Sequence, residues 1–395
     1  MGGDIHRLIS NVNETFKSIR GLREPISIVS SDDGDGLAST YLMSVLLDEL
    51  GKAYNIIIVD RVYPELPMKL FERFESIIFL DLGGPYHVYI DEDRFRDIVI
   101  IDHHRESVRI PRDINYLNPV MMGFDERDTP STSVIVYYMV RNVIKKFYRY
   151  AWAAILGMGE IPSELGELAW RALVEGIKAG VIKKVRRSYR LLVDGFQREF
   201  RSLYRDITLV SSMGYFDDLG LDIVGWMRYG GLEEIRRYID GYRVKRKKLF
   251  DDMKSLFDSG DMVLEKFYIQ WFEDYKKLFY NVSPRVFSSF STTISMYGRY
   301  FNPNKYILGV TERNPYIPGY GNLVRRWSIV SIRTTKKIEF LIGVGKAQPV
   351  YALAEASAFR FGGLGYGYRH LGSAVVEKDK VNNFLNFFDS LASGR

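Results

Sequence analysis

Three short apolar runs, each ending in acidic or imidazole side chains, constrain this chain more than any other feature. They are ISIVSSDDGDGLAS from Ile26, FLDLGG from Phe79 and IVIIDHH from Ile98. An unbroken apolar run of strand length marks a strand buried on both faces, as in a parallel sheet covered by helices. Parallel strands deliver the residues at their ends to one carboxyl edge. Asp33, Asp35, Asp81, Asp102, His103 and His104 are therefore expected together, as a candidate metal site.

The remaining pattern predicts the α/β class. Ile5, Leu8, Ile9, Val12, Phe16 and Ile19 recur at helical spacing, and strand and helix then alternate, so residues 1–165 are expected to form an α/β domain with a mainly parallel sheet. Residues 166–280 carry long helical patterns and heavy charge, which predicts a helical connector or insertion. Its basic clusters are Lys183–Arg190 and Arg236–Lys248, the second expected to be a solvated helix face. Residues 281–395 return to α/β character as a smaller domain. Strands are predicted in KYILGVT, RWSIVSIRTT, IEFLIGV and LGSAVVE, helices in AQPVYALAEASAFRF and DKVNNFLNFFDSLA, with the glycine-rich FGGLGYGYRH from Phe361 to His370 between them.

Composition narrows the chemistry. The chain has no cysteine, which excludes disulfides, zinc–thiolate sites and cysteine nucleophiles. A metal would sit on oxygen and imidazole, a donor set that favours manganese or magnesium over zinc. No apolar run reaches the ~18 residues needed to cross a bilayer, and the polar start MGGDIHRLISNVNETF lacks the pattern of a secretory signal. An intracellular, cytoplasmic protein with no membrane partner is expected. A net charge of +6 with pI near 9.1 is compatible with a polyanionic partner.

Two aspartates at i and i+2 past a strand end, flanked by Gly34 and Gly36, can turn toward one cation. An aspartate at the next strand end can bridge two. Two cations about 3.5–4 Å apart clamp an in-line attack on phosphorus. The competing structural role is a helix N-cap, which a lone aspartate after a strand more often serves. Three such signals in order, among only five histidines in the chain, weigh toward a site.

Asp33-Gly34-Asp35-Gly36, Phe79-Leu80-Asp81-Leu82-Gly83 and Asp102-His103-His104 resemble the first three motifs of the DHH phosphoesterases, in their RecJ-like branch with its archaeal, GINS-associated members. LNPVMMGFDERDTPSTSVIVYYMV is similar to the segment after the DHH motif, and SIRTT and FGGLGYGYRH are similar to the DHH-associated C-terminal domain. The resemblance implies metal ligation by Asp33, Asp35, Asp81 and His103, with Asp81 as the bridge. It implies a catalytic His104 facing the phosphate and oriented by Asp102. It also implies substrate contacts from Arg105, Arg333, Gly363, Gly365, Gly367, Tyr368 and His370.

Three departures bear on activity. The histidine expected shortly before the DxD pair is absent, its candidate positions being Val29, Ser30 and Ser31. The fourth motif's aspartate is Glu160 in Gly157-Met158-Gly159-Glu160, still a candidate metal ligand. The loop GGGH is Gly365-Tyr366-Gly367-Tyr368, with His370 displaced. The expected function is accordingly a two-metal phosphodiesterase or exonuclease acting on single-stranded DNA or RNA or short oligonucleotides, with Mn2+, or Mg2+, as cofactor; the site holds two ions, or one if the lost histidine removes a site. The alternative is a catalytically degenerate nucleic-acid-binding scaffold of the replication and repair machinery, GINS-associated. Hydrolysis of a small phosphate compound is a third class.

Overall fold

The computed structural model describes residues 4–105, 110–125, 129–161, 165–260 and 262–394. The class is α/β, in two compact units: one of 1–62, 66–240 and 317–320, the other of 63–65, 241–316 and 321–395.

The first unit opens with α1 (Ile5–Gly21), then β1 (Ile26–Ser31), α2 (Gly34–Glu49), β2 (Tyr54–Val59), α3 (Leu66–Phe71), β3 (Ser76–Leu80), β4 (Ile98–Ile101) and β5 (Asn115–Leu117). The sheet is parallel throughout in the order β2-β1-β3-β4-β5. Every residue of β1, β3 and β4 is buried, which explains their continuous Val/Ile/Leu runs. The chain winds from β1 out to β2 and then returns past β1 to β3. Such a switch point opens a crevice at the carboxyl ends of the two strands between which it falls, here β1 and β3, the strands that precede Asp33, Asp35 and Asp81. Helix α2 is buried from Gly34 through Ser44, so its apolar residues lie on all sides rather than on one stripe.

Helices α4 (Thr132–Val140), α5 (Ala151–Gly157) and α6 (Glu167–Lys178) come next. The expectation of an all-helical middle fails after them. Lys183–Arg190 lies in a three-stranded antiparallel sheet of β6 (Ile182–Val185), β7 (Ser188–Val193) and β8 (Phe196–Glu199). Alternating burial along Leu191, Leu192 and Val193 is the period-2 signal that its charged flanks obscured. Helices α7 (Phe200–Met213), α8 (Leu219–Tyr229) and α9 (Arg236–Asp258) complete the stretch. The segment 166–280 is thus no separate body. It divides within α9 near Asp240, because Tyr215 Oη accepts from Asp60 N (3.2 Å) and donates to Ile58 O (3.0 Å), whereas later residues join the second unit's sheet. One late segment also belongs to the first unit: Ile58 N donates to Pro318 O at 3.2 Å.

The second unit carries β9 (Leu264–Glu265), β10 (Ile269–Glu273), α10 (Pro284–Ser295), β11 (Tyr306–Glu312), the short β13 (Gly321–Asn322), β14 (Trp327–Arg333), α11 (Lys336–Gly343), α12 (Val350–Arg360), β15 (Leu364–Gly367), β16 (Leu371–Glu377) and α13 (Val381–Ala392), while the two-residue β12 (Tyr316–Ile317) falls on the division. Its six-stranded sheet runs β15-β16-β14-β11-β10-β9, over a core that includes Leu308, Val330, Ile332, Ala354, Val376, Phe384 and Phe388. The expected strand IEFLIGV is helix α11. Thr335 caps it, its side chain accepting from Ile338 N, and Ile338 and Ile342 are buried one turn apart. Among the described residues no helix is long and apolar enough to cross a membrane.

Candidate metal centre

Each acidic residue of the first unit is placed by a neighbouring strand or helix. Asp33 caps α2, its Oδ1 accepting from Asp35 N (3.2 Å) and Gly36 N (3.0 Å). The cap role and the site position therefore fall on one residue. Asp35 accepts from the first amides of α4, Thr132 N (2.8 Å) and Ser133 N (3.0 Å), where the positive end of that helix favours a carboxylate. Asp81 leaves β3 with φ 62°, a left-handed conformation that aspartate tolerates better than most residues and that functional sites often hold.

His103, 7% exposed, is the centre of the cluster. Its Nε2 lies 3.2 Å from Asp81 Oδ1, 3.4 Å from Glu160 Oε2 and 3.6 Å from Asp35 Oδ2. His104, 29% exposed, stands beside it with ring centroids 4.5 Å apart. Asp102 grips His104 twice, through the backbone N–H (3.1 Å) and through Nδ1 (2.8 Å), which fixes the ring orientation. Asn118 Nδ2 donates to His104 O at 2.7 Å. Donor atoms of Asp81, His103, His104 and Glu160 all fall within 4.8 Å of one another.

The electrostatics are those of crowded acids. Burial, then the charges of Asp33 and Asp35, push the Asp81 carboxyl well above its usual range. Burial raises Asp35 as well. Burial and His104 oppose a charge on His103, yet Asp81 and Glu160 prevail and hold it well above the ordinary imidazole value. Glu160 is held well below its usual range by His103 and His104 in spite of its burial, and Asp102 is lowered by His104 against the same cost.

The donor set fits a hard divalent cation. His103 Nε2 and Glu160 Oε2 are buried without a hydrogen-bond partner, an expensive state unless something else binds there. Donors held ~2.1–2.2 Å from one octahedral cation lie about 3 Å apart, close to the spacing around Nε2. The other side of Asp81 is different. Ser31 Oγ stands 2.8 Å from Asp81 Oδ2 and 3.0 Å from Asp33 Oδ1, and a hydroxyl has one proton to share between two carboxylates.

Several side chains important here carry no motif in the sequence. Of the three candidate positions for the absent histidine, Ser31 is the one that faces both acids. Thr208 Oγ1 accepts from Gly34 N at 3.0 Å. A Cβ at Gly34 or Gly159 would come within 2.5 or 2.4 Å of the Tyr204 side chain, so α7 presses directly on the start of α2, with Asp33 and Asp35, and on the turn that carries Glu160. Thr132 Oγ1 donates to Asp81 Oδ1 at 3.2 Å. Only the glycines of these segments hinted at so close an approach.

The C-terminal residues lie in the second unit. Arg333 departs from its expected phosphate role: it is 9% exposed and donates to Thr292 Oγ1, Ile332 O, Gly372 O and Ser288 O, which commits the guanidinium to the fold. Gly363 and Gly365 serve close packing, since a Cβ there would sit 2.1 Å from Val375 O and 2.2 Å from Ala354 O. Gly367 has φ 155° beside Gly372. Tyr368 is 38% exposed, and His370 Nδ1 is buried without a hydrogen-bond partner. Arg105 is exposed.

Residues 25–160 match the model of the DHH family, N-terminal domain. That stretch is similar to a DHH N-terminal domain. The chain is 24% identical to an uncharacterised protein of Methanocaldococcus jannaschii, covering 97% of this chain and 98% of that one. Its fold is RecJ-like: RecJ of Thermus thermophilus, solved with Mn2+, matches with TM-score 0.60 and 14% identity over 98% of this chain, which spans 55% of that protein. CDC45 of Entamoeba histolytica matches with TM-score 0.55 and 7% identity, over 97% of this chain and 98% of its own. The matched residues include Asp33, Asp35, Asp81, Asp102, His103, His104 and Glu160, while β6–β8 and α7 lie beyond them.

Proposed function

We propose that this protein is a DHH-family, metal-dependent phosphodiesterase acting on single-stranded nucleic acid, with its chemistry centred on one cation. The observation that carries the reading is the buried Nε2 of His103, which makes no hydrogen bond and is ringed by carboxylates of Asp35, Asp81 and Glu160 at 3.2–3.6 Å. Those four residues would hold Mn2+ or Mg2+. When bound, the cation supplies Lewis acidity to the phosphoryl oxygen and makes a nucleophile of its water at neutral pH. His104, with Nδ1 held by Asp102, presents Nε2 for proton transfer at the phosphate. Arg105 adds positive charge beside it. In the second unit, Tyr368 offers a ring and His370 a donor to a strand end.

The second reading is a scaffold that binds strands, or replication proteins such as GINS, without cleaving them. Ser31 in place of an imidazole favours it, because a lone hydroxyl gives a second cation at Asp33 and Asp81 too little.

The deciding experiment titrates Mn2+ calorimetrically into the wild type and Asp81→Ala, and incubates both with a labelled single strand. One tight site and strand cleavage in the wild type, both lost in the variant, support the phosphodiesterase. Binding of the strand without Mn2+ uptake or cleavage supports the scaffold.

A further inference from the structure

The small sheet β6–β8 has two hairpin turns of two residues each, and they differ in a way that points to a binding surface. Val193 pairs with Phe196 across Asp194 (φ 46°) and Gly195 (φ 82°), residues suited to a turn with both central residues left-handed. Val185 pairs with Ser188 across Arg186 and Arg187, and Arg186 holds φ 54°. A long, bulky side chain in that region is a backbone outlier. The chain keeps an arginine where its own neighbouring turn shows that aspartate and glycine fit.

The same hairpin carries further unfavourable charge. Lys183 sits directly opposite Arg190, and like charges across a ladder repel. Lys183, Lys184, Arg186, Arg187 and Arg190 are all exposed, and their side chains make no ion pair or hydrogen bond among the described residues. Glu199, opposite Arg190 on the far strand, spends its carboxylate on Ser188 Oγ (2.8 Å) and Ser202 N (2.7 Å). Arg198, the remaining cation of the sheet, pairs with Asp206. A strained backbone at the turn, and five exposed cations along one hairpin that form no ion pair among the described residues, are what a surface kept for an external polyanion looks like.

We infer that the β6–β7 tip is a phosphate-backbone grip for single-stranded nucleic acid. This rests on the strand-directed reading of the metal centre. The ribbon has no large exposed apolar side chain to enter a bilayer. Strand β8 runs without a break into α7, whose Thr208, about 12 Å along the helix from Phe200 at 1.5 Å per residue, bonds the start of α2, with Asp33 and Asp35. A strand held at the tip is thereby tethered to the same unit that carries the cation.

The test measures strand affinity in EDTA, by anisotropy of a labelled oligonucleotide across a salt series, so that no hydrolysis or metal binding enters. Lys183→Gln/Arg187→Gln/Arg190→Gln is expected to weaken binding about tenfold or more, and to reduce the log–log salt slope by about 2, at roughly 0.7 per lost contact. Arg186→Gly is the second arm. It is expected to raise the melting temperature by ~1–3 °C through relief of the turn, while weakening strand binding several-fold. Unchanged affinity and slope in both variants overturn the grip, as does a wild type that ignores the strand but sediments with phosphatidylserine vesicles. Failure of the metal-centre reading would show separately, as absent Mn2+ uptake by the wild type.

Discussion

Glu312 and Asp81 are both acids at the end of a buried strand, and the protein treats them in opposite ways. Glu312, 12% exposed, receives Arg326 (2.7 Å), Lys277 (2.9 Å) and Lys378 (2.5 Å), and against its burial these cations hold the carboxyl down to about 2. Asp81 faces Asp33 and Asp35 instead, and is pushed up. An acid that the chain neutralises braces a fold. Asp35 and Asp81, which crowd Asp33, form no ion pair with a lysine or arginine among the described residues, and a divalent ion is a species that fits such a cluster.

Glu160 carries most of this contrast. Glu160→Gln keeps the shape and removes one charge, so Mn2+ affinity is expected to fall about 10²-fold by calorimetry; an unchanged affinity would place the cation elsewhere. Acidity comes next. Asp81 and His103 both have raised values, so both favour holding protons in the metal-free protein. The stability that charged His103 contributes is complete below its ordinary value near 6.5 and is lost as pH rises through its raised value. Mn2+ must displace these protons, so its affinity is expected to rise with pH, by about tenfold per unit for each proton released. A flat profile would mean that the cluster is deprotonated before metal arrives.

Glu312 has the opposite sign. Its contribution is present above its ordinary value of 4.5 and is lost as pH falls toward about 2. Glu312→Gln is expected to cost about 1–2 kcal/mol at neutral pH and to flatten that acid limb in urea melts. The smallest effect is reserved for Ser31→Ala. Mn2+ affinity is expected to stay within about threefold while metal-free stability drops ~1 kcal/mol. A collapse of Mn2+ binding would instead place a cation on the Ser31 side of Asp81.

The acids and histidines of the centre were legible because each ends an apolar run that only a buried parallel strand explains. Glu160 was legible only through the resemblance of Gly157-Met158-Gly159-Glu160 to the fourth DHH motif. Ser31 was not singled out from its neighbours, because its meaning lies in a 2.8 Å contact with a residue fifty positions on. Tyr204 and Thr208 sit on an ordinary amphipathic helix and are functional only through what they touch. Helix α11 was misread because Ile338, Phe340 and Ile342 alternate like a strand, while Phe340 in fact points to solvent, 67% exposed. Arg333 was misread because an arginine at a strand end looks the same whether it awaits a phosphate or closes carbonyls.

The hydrogen bond from Ile58 to Pro318 has a consequence for biosynthesis. Strand β2 is the outer strand of the parallel sheet, and part of its free edge is capped by a segment translated about 260 residues later. While the chain is still emerging, that edge is bare, hydrophobic and open to pairing with a neighbour's nascent chain. The first unit therefore reaches its finished form only after about half of the second has been made, so a gene fragment ending at Asp240 would yield a protein with an adhesive border.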